Sequence, residues 1–296
     1  MNTLKITNLS KTYPNGVKAL DAIDLDITNG MFGLLGANGA GKSSLMRTIA
    51  ALQEPSSGVV LFNNTDIIQT PQEVRKHLGY LPQEFGVYPK ISAQKLLEHL
   101  AILKGVLNKK ERKTQVKALL QQTNLYQHRK KSVYTFSGGM KQRFGIAQAL
   151  LANPQLIIVD EPTAGLDPEE RNRFLNLLSE IGQNIIVILS THIVEDIKEL
   201  CTQMAILAEG KIIAKGHPNA LVQTISNKVW SKIIPKEALN VYQENYQVIS
   251  TRLIASETQI KVLSETAPGP DFNSVNAGLE DYYFTQMYFH HTIKND

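Results

Sequence analysis

Near the start of the chain, apolar and polar positions alternate. Leu4 and Ile6 are flanked by polar residues, and Ile23, Leu25 and Ile27 alternate with Asp24, Asp26 and Thr28. That two-residue period predicts half-buried antiparallel strands. Met31–Leu35 reads as a short apolar strand entering a glycine-rich loop, followed by a helix with Leu45, Ile49 and Leu52 on one face. Val59–Phe62 and Leu78–Leu81 read as further strands. From about Ser92 to Ala152 the period becomes helical, with Leu96, Leu97, Leu100 and Leu103 in one stripe and Val116, Leu119 and Leu120 in another. Leu156–Val159 and Ile185–Leu189 are continuous apolar runs, as expected of parallel strands buried on both faces, and a helix containing Phe174, Leu177 and Leu178 separates them. Strands alternating with helices predict an α/β fold with a largely parallel sheet. Past about Val222, Tyr, Gln, Ser and Thr increase, Thr258–Leu263 alternates, and Pro268-Gly269-Pro270 interrupts the chain. The expected division is a domain over 1–224, with a helical subdomain at about 90–152, and a small α+β domain over 225–296.

Composition narrows the class. The 296 residues are 43% apolar and 20% charged, ordinary for a globular chain, and the net charge of +4 is too slight to argue for a nucleic-acid partner. The densest basic stretch, Lys109–Lys113, reads as the solvated start of a helix, with anionic lipid as the sharper alternative. A single cysteine, Cys201, excludes a disulfide or a thiolate metal site within one chain and suits a reducing compartment. No signal-peptide core is present, and no apolar run approaches the ~20 residues that span a bilayer. Any membrane role is therefore expected through a partner. Trp230 and the tyrosines at 242, 246, 282, 283 and 288 are expected to pack the small domain or form its contact surface.

Gly36-Ala37-Asn38-Gly39-Ala40-Gly41-Lys42-Ser43 fits G-x-x-x-x-G-K-[ST] between a predicted strand and a predicted helix. Glycines let successive N–H groups turn toward phosphate oxygens, and the following helix adds its positive dipole end. Lys42 would supply a cation for the β- and γ-phosphates; the Ser43 hydroxyl would ligate Mg²⁺, with Ser44 next to it. Leu156–Val159 delivers Asp160 and Glu161 at the carboxyl edge of a buried strand, where ligands of parallel sheets bind. Asp160 is expected to hold Mg²⁺. Glu161, pointing the other way along the pleat, is expected to polarise the attacking water. His192 leaves the next strand and is expected to sense the γ-phosphate or orient the water.

Phe136-Ser137-Gly138-Gly139-Met140-Lys141-Gln142-Arg143 opens a helix about twenty residues before the acidic strand. This segment resembles the signature motif of ABC ATPases, and the order of motifs resembles that family over about residues 1–220. The resemblance implies a P-loop NTPase core with an N-terminal antiparallel β-subdomain and a helical subdomain, hydrolysing ATP with Mg²⁺. It also implies roles for other residues: Tyr13 as the aromatic that stacks on adenine, Gln83 as the glutamine linking Mg²⁺ to a membrane partner, Ala164-Gly165-Leu166-Asp167 as the loop exchanged between subunits, and His192 as the switch histidine. Each chain would hold half of a site, with Ser137, Gly138 and Gly139 capping ATP held by a second subunit, identical or not.

The implied partners are that second ATPase subunit and a separately encoded integral membrane permease, with this chain peripheral on the cytoplasmic face of the inner membrane and no nucleic acid bound. Two residues depart from the family's signature, Phe136 for Leu and Met140 for Gln, while Ser137-Gly138-Gly139 are intact. Within the family, Tyr88–Ser92 and the tail Gly278-Leu279-Glu280-Asp281-Tyr282-Tyr283 resemble the drug- and ion-efflux branch. Two other readings are an importer ATPase whose tail is a regulatory sensor, and a soluble ATPase acting on ribosomes or DNA. The latter usually has tandem cassettes, a coiled-coil or a zinc insertion, none of which this sequence shows.

Overall fold

The computed structural model describes residues 1–83, 86, 90–255 and 257–295. The chain divides into two compact units, one of residues 1–202 and 207–212 and the other of residues 203–206 and 213–296. The division falls earlier than the compositional shift near Val222, so residues 213–224 belong with the C-terminal unit.

In the first unit, β1 (Thr3–Thr12) and β2 (Lys18–Thr28) pair antiparallel, with Leu4 opposite Ile27 and Ile6 opposite Leu25. The alternation seen in the sequence turns these apolar residues into the core. After β3 (Gly30–Leu35) and α1 (Lys42–Ile49), β4 (Ser57–Phe62) and β5 (Thr65–Asp66) complete a four-stranded sheet in the order β2-β1-β4-β5. Helix α1 stops at Ile49, so Leu52 lies beyond it and is 57% exposed instead of continuing the buried face.

Next come α2 (Pro71–His77), β6 (Leu78–Leu81), α3 (Ala93–Leu103), α4 (Lys109–Gln122) and α5 (Gly138–Ala149). Caps set the starts of these last three helices: Ser92, Asn108 and Ser137 each accept a first-turn amide. Leu96, Leu97, Val116, Leu119 and Leu120 form the core of the helical subdomain, whereas Leu103, at the last position of α3, is exposed. Both signature departures pack into this core. Phe136 is buried edge-on against Phe144, and Met140 lies against the same cluster.

The central sheet carries β3, β8 (Ile186–Thr191), β7 (Leu156–Asp160) and β6 side by side, all parallel. Strands β7 and β8 are buried at every position, which explains their unbroken apolar runs. Between them runs α6 (Pro168–Ile181), capped by Asp167, and α7 (Val194–Leu200) follows β8. The chain then passes through β9 (Gln203–Ala208) and β10 (Lys211–Gly216).

The second unit contains α8 (Pro218–Gln223), β11 (Val229–Ile234), α9 (Leu239–Asn245), β12 (Val248–Ile254), β13 (Glu257–Leu263), β14 (Asn273–Ser274) and α10 (Leu279–Asn295). Its antiparallel sheet has the order β12-β13-β11-β14. The alternation over Thr258–Leu263 buries Thr258, Ile260 and Val262. Trp230, Tyr242 and Tyr246 pack on the Ile234–Ile260–Val262–Phe272 cluster, and Lys261 pairs with Asp281 of α10 at 2.6 Å. The fold is thus a mixed α/β core with antiparallel and helical subdomains and a small α+β addition. Among the described residues, no helix is long and apolar enough to cross a membrane.

Candidate functional site

The carboxyl ends of β3, β7 and β8 converge on the loop between β3 and α1. Gly41 caps α1 in a left-handed conformation (φ 109°), and a Cβ there would sit 2.3 Å from the Ala19 carbonyl oxygen. Only glycine fits. The amides that open α1 have no partner within the helix, and the positive dipole end faces the loop. A cavity of about 520 Å³ is lined by Ala37, Asn38, Gly39, Gly41, Lys42, Ser43 and Ser44. Tyr13, Gln83, Glu161 and His192 line it too. Gly36 and Ala40 form the rear of the loop, where the Ala40 carbonyl accepts from Gly210 N at 2.8 Å.

Lys42 is only 6% exposed, and its ammonium donates to the Gly36 carbonyl at 2.7 Å and the Ala37 carbonyl at 3.3 Å. It also lies 3.3 Å from Glu161 Oε1, an ion pair outside hydrogen-bonding geometry. The other Glu161 oxygen is 2.7 Å from His192 Nδ1. The backbone at Glu161 is left-handed (φ 49°), one residue past the end of β7, while its N–H donates to Ser190 O at 2.8 Å. The expected separation of the two carboxylates by strand pleat is therefore corrected: a left-handed turn after Asp160, not alternation along β7, carries Glu161 into the cavity.

Asp160 reaches the cavity through Ser43, whose hydroxyl donates to its Oδ2 at 3.2 Å. Asp160 Oδ1 is buried and unpartnered among the described residues. Hard oxygen donors converging around an orphaned carboxylate oxygen suit a divalent cation such as Mg²⁺. No group of three His, Cys, Asp or Glu exists among the described residues, so phosphate and water oxygens would complete the shell.

The Tyr13 hydroxyl contacts Ser44 Oγ at 3.0 Å and Gln53 Oε1 at 3.1 Å, which fixes the ring at the cavity edge. Ser137, Gly138 and Gly139 do not line this cavity. Ser137 Oγ accepts from Met140 N, and Gly139 lies against Glu170, which pairs with Arg143 at 3.2 Å.

One set of residues is invisible to motif reading. Asp196 of α7, wholly buried, accepts from Thr163 Oγ1 in the loop after Glu161 and from Arg171 Nε of α6 at 2.9 Å. It ties the acidic loop to the helix that follows His192.

Comparison with known proteins identifies the family. Residues 20–164 match the family described as ABC transporter. The methionine import ATP-binding protein MetN 1 of Acinetobacter baylyi is 32% identical over 289 residues, covering 94% of this chain and 80% of its own. The ABC transporter ATP-binding protein NatA of Bacillus subtilis is 35% identical over 227 residues, covering 75% and 92%. A dimeric ATP-binding cassette in a post-hydrolysis state with ADP and Pi superposes with a TM-score of 0.66 at 26% identity, covering 72% of this chain and 98% of that one. The resemblance to the efflux branch is not upheld, because the relative matched over nearly the whole chain is named for import. Of the segment that suggested efflux, Tyr88 and Pro89 lie outside the described residues. The chain belongs to the ATP-binding proteins of ABC transporters and is an ATPase.

Proposed function

We propose that the chain is the energy-coupling subunit of an ABC transporter, peripheral on the cytoplasmic face of the membrane, driving a separate membrane subunit by closing on a second ATPase subunit around ATP. The observation that carries this reading is the Lys42–Glu161–His192 chain on the wall of the phosphate-loop cavity, with Ser137 to Gly139 standing outside that cavity. The Gly36–Ser43 amides and Lys42 bind the phosphates, and Tyr13 stacks on the base. Ser43, Asp160 and Gln83 would hold Mg²⁺, which would neutralise phosphate charge when bound. Glu161 accepts the proton of the attacking water, and His192 holds that carboxylate in orientation. Ser137, Gly138 and Gly139 cap the γ-phosphate bound by the partner, adding donors that lose their target once phosphate leaves. We assign the membrane subunit's contact to a groove of about 350 Å³ beside Gln83, bordered by Leu52, Leu78, Tyr80, Pro82 and Lys104. That assignment gives the exposed Leu52 a partner.

For the direction of transport we infer import, because the import relative aligns through the C-terminal unit as well as the cassette. In this reading the C-terminal unit regulates. Glu161→Gln in the reconstituted complex should lower ATP turnover about 10²–10⁴-fold, and unchanged turnover refutes the role of the base. Inside-out vesicles bearing the complex should discharge lumenal methionine when ATP is added outside. ATP-driven accumulation in the lumen would reverse the direction.

A further inference from the structure

A cluster of basic side chains lies in the helical subdomain, on residues that line no part of the nucleotide cavity. A cleft of about 760 Å³ is lined by Lys90, Lys95, Lys113, Arg129 and Lys130 against one carboxylate, Glu98. The cleft lining therefore carries a formal excess of four positive charges. Among the described residues, the side chains of Lys90, Lys95, Lys113 and Lys130 form no ion pair, whereas Lys18, Lys76 and Lys198 elsewhere on the surface do. Glu98 is engaged by Gln94 Nε2 at 2.9 Å. Like charges gathered without a counter-ion repel one another, and the arrangement calls for an anion.

The cleft is also built. Ala93 N donates to Lys131 O at 2.9 Å and Gln94 N to Arg129 O at 3.0 Å, clamping residues 129–132 to the first turn of α3. Cations on that segment are thereby fixed at the positive end of an 11-residue helix. The Arg129 guanidinium stacks 4.1 Å from the Tyr126 ring centroid and donates to Tyr126 O at 2.9 Å, so its planar fork is held in place. Ser132 also borders the cleft, with its Oγ shielded from solvent. A fixed guanidinium and several mobile ammonium groups match the geometry and charge of a phosphate group.

We propose that this cleft is a second anion site, separate from the nucleotide cradle, which binds a phosphate-bearing ligand, either a soluble one or a phospholipid headgroup. The test uses the full chain with its nucleotide cavity filled by a tightly bound non-hydrolysable ATP analogue and the free analogue removed by gel filtration. Pyrophosphate is titrated calorimetrically, and vesicles of phosphatidylcholine with or without phosphatidylglycerol are sedimented with the protein. Lys95→Gln/Lys130→Gln changes only exposed side chains and should leave the melting temperature intact. Wild type should bind a phosphate probe in a salt-sensitive manner, and each lysine removed should weaken binding roughly tenfold. Pyrophosphate binding without vesicle binding identifies a soluble ligand. Phosphatidylglycerol binding that pyrophosphate competes away identifies a headgroup. Failure of wild type to bind either probe, or equal binding by wild type and the double variant, overturns the proposal.

Discussion

Asp196→Ala removes the acceptor on which two other elements depend. Thr163, only 3% exposed, would keep a buried hydroxyl with no partner, while Arg171, whose side chain is a quarter exposed, would turn to water. Losing a charge-assisted hydrogen bond costs about 1.5–3 kcal/mol, and stranding a buried hydroxyl about 1–3 kcal/mol. Rehydration of Arg171 discounts the first contribution, leaving ~3 kcal/mol in all. In a domain of 150–250 residues each kcal/mol lowers the melting temperature by ~2–4 °C, so the expected drop is about 6–12 °C. Circular dichroism melts of wild type, Asp196→Ala, Thr163→Val and the double variant measure it. Because the two residues share one bond, the double variant should lose less than the sum of the singles. A variant melting within ~2 °C of wild type, or strict additivity, would refute the reasoning.

Gly41→Ala combines a left-handed backbone (φ 109°) with a Cβ 2.3 Å from Ala19 O, and strain of about 1–3 kcal/mol predicts ATP binding roughly 5- to 150-fold weaker in a fluorescence titration. Gly139→Ala would set a Cβ 2.4 Å from Glu170 Oε2, so its ATP turnover in the assembled transporter should fall and recover in part when Glu170→Ala removes the obstacle. Burial, and secondarily Asp196, pushes the Cys201 thiol well above its ordinary range, so iodoacetamide should label the chain in urea but not when folded. The sign follows from linkage: the neutral thiol is favoured in the fold, so its contribution is fully present below the unfolded thiol pKa and declines as pH rises above about 8.5. Urea midpoints across that range measure the decline.

What was legible in the sequence was local. Ile23–Ile27 and Thr258–Leu263 carry their burial in a two-residue period, and Gly36–Ser43 carries its conformation in its own glycines. Leu52 and Leu103 misled because an apolar stripe does not mark where its helix ends or whether the last turn finds a neighbour. The ties that cross the fold left no pattern. Thr163 and Arg171 lie 33 and 25 residues from Asp196, and only the packing of α6 beside α7 brings them together. The left-handed turn at Glu161 was hidden for a different reason. Glutamate does not favour that conformation, and the surrounding strands impose it. Strand β12 was obscure because Leu253 and Ile254 face outward, which breaks the alternation that marks its neighbour.

The position of the Lys42 ammonium bears on how tightly and how fast a triphosphate can be captured. The fold has already withdrawn this cation from bulk water and given it a carboxylate and two carbonyls as company. An arriving phosphate therefore strips no hydration shell from the lysine; it exchanges one negative neighbour for another. In the proposed mechanism, a phosphate that takes the place of Glu161 beside Lys42 frees the carboxylate assigned as the base at the moment a substrate is in place.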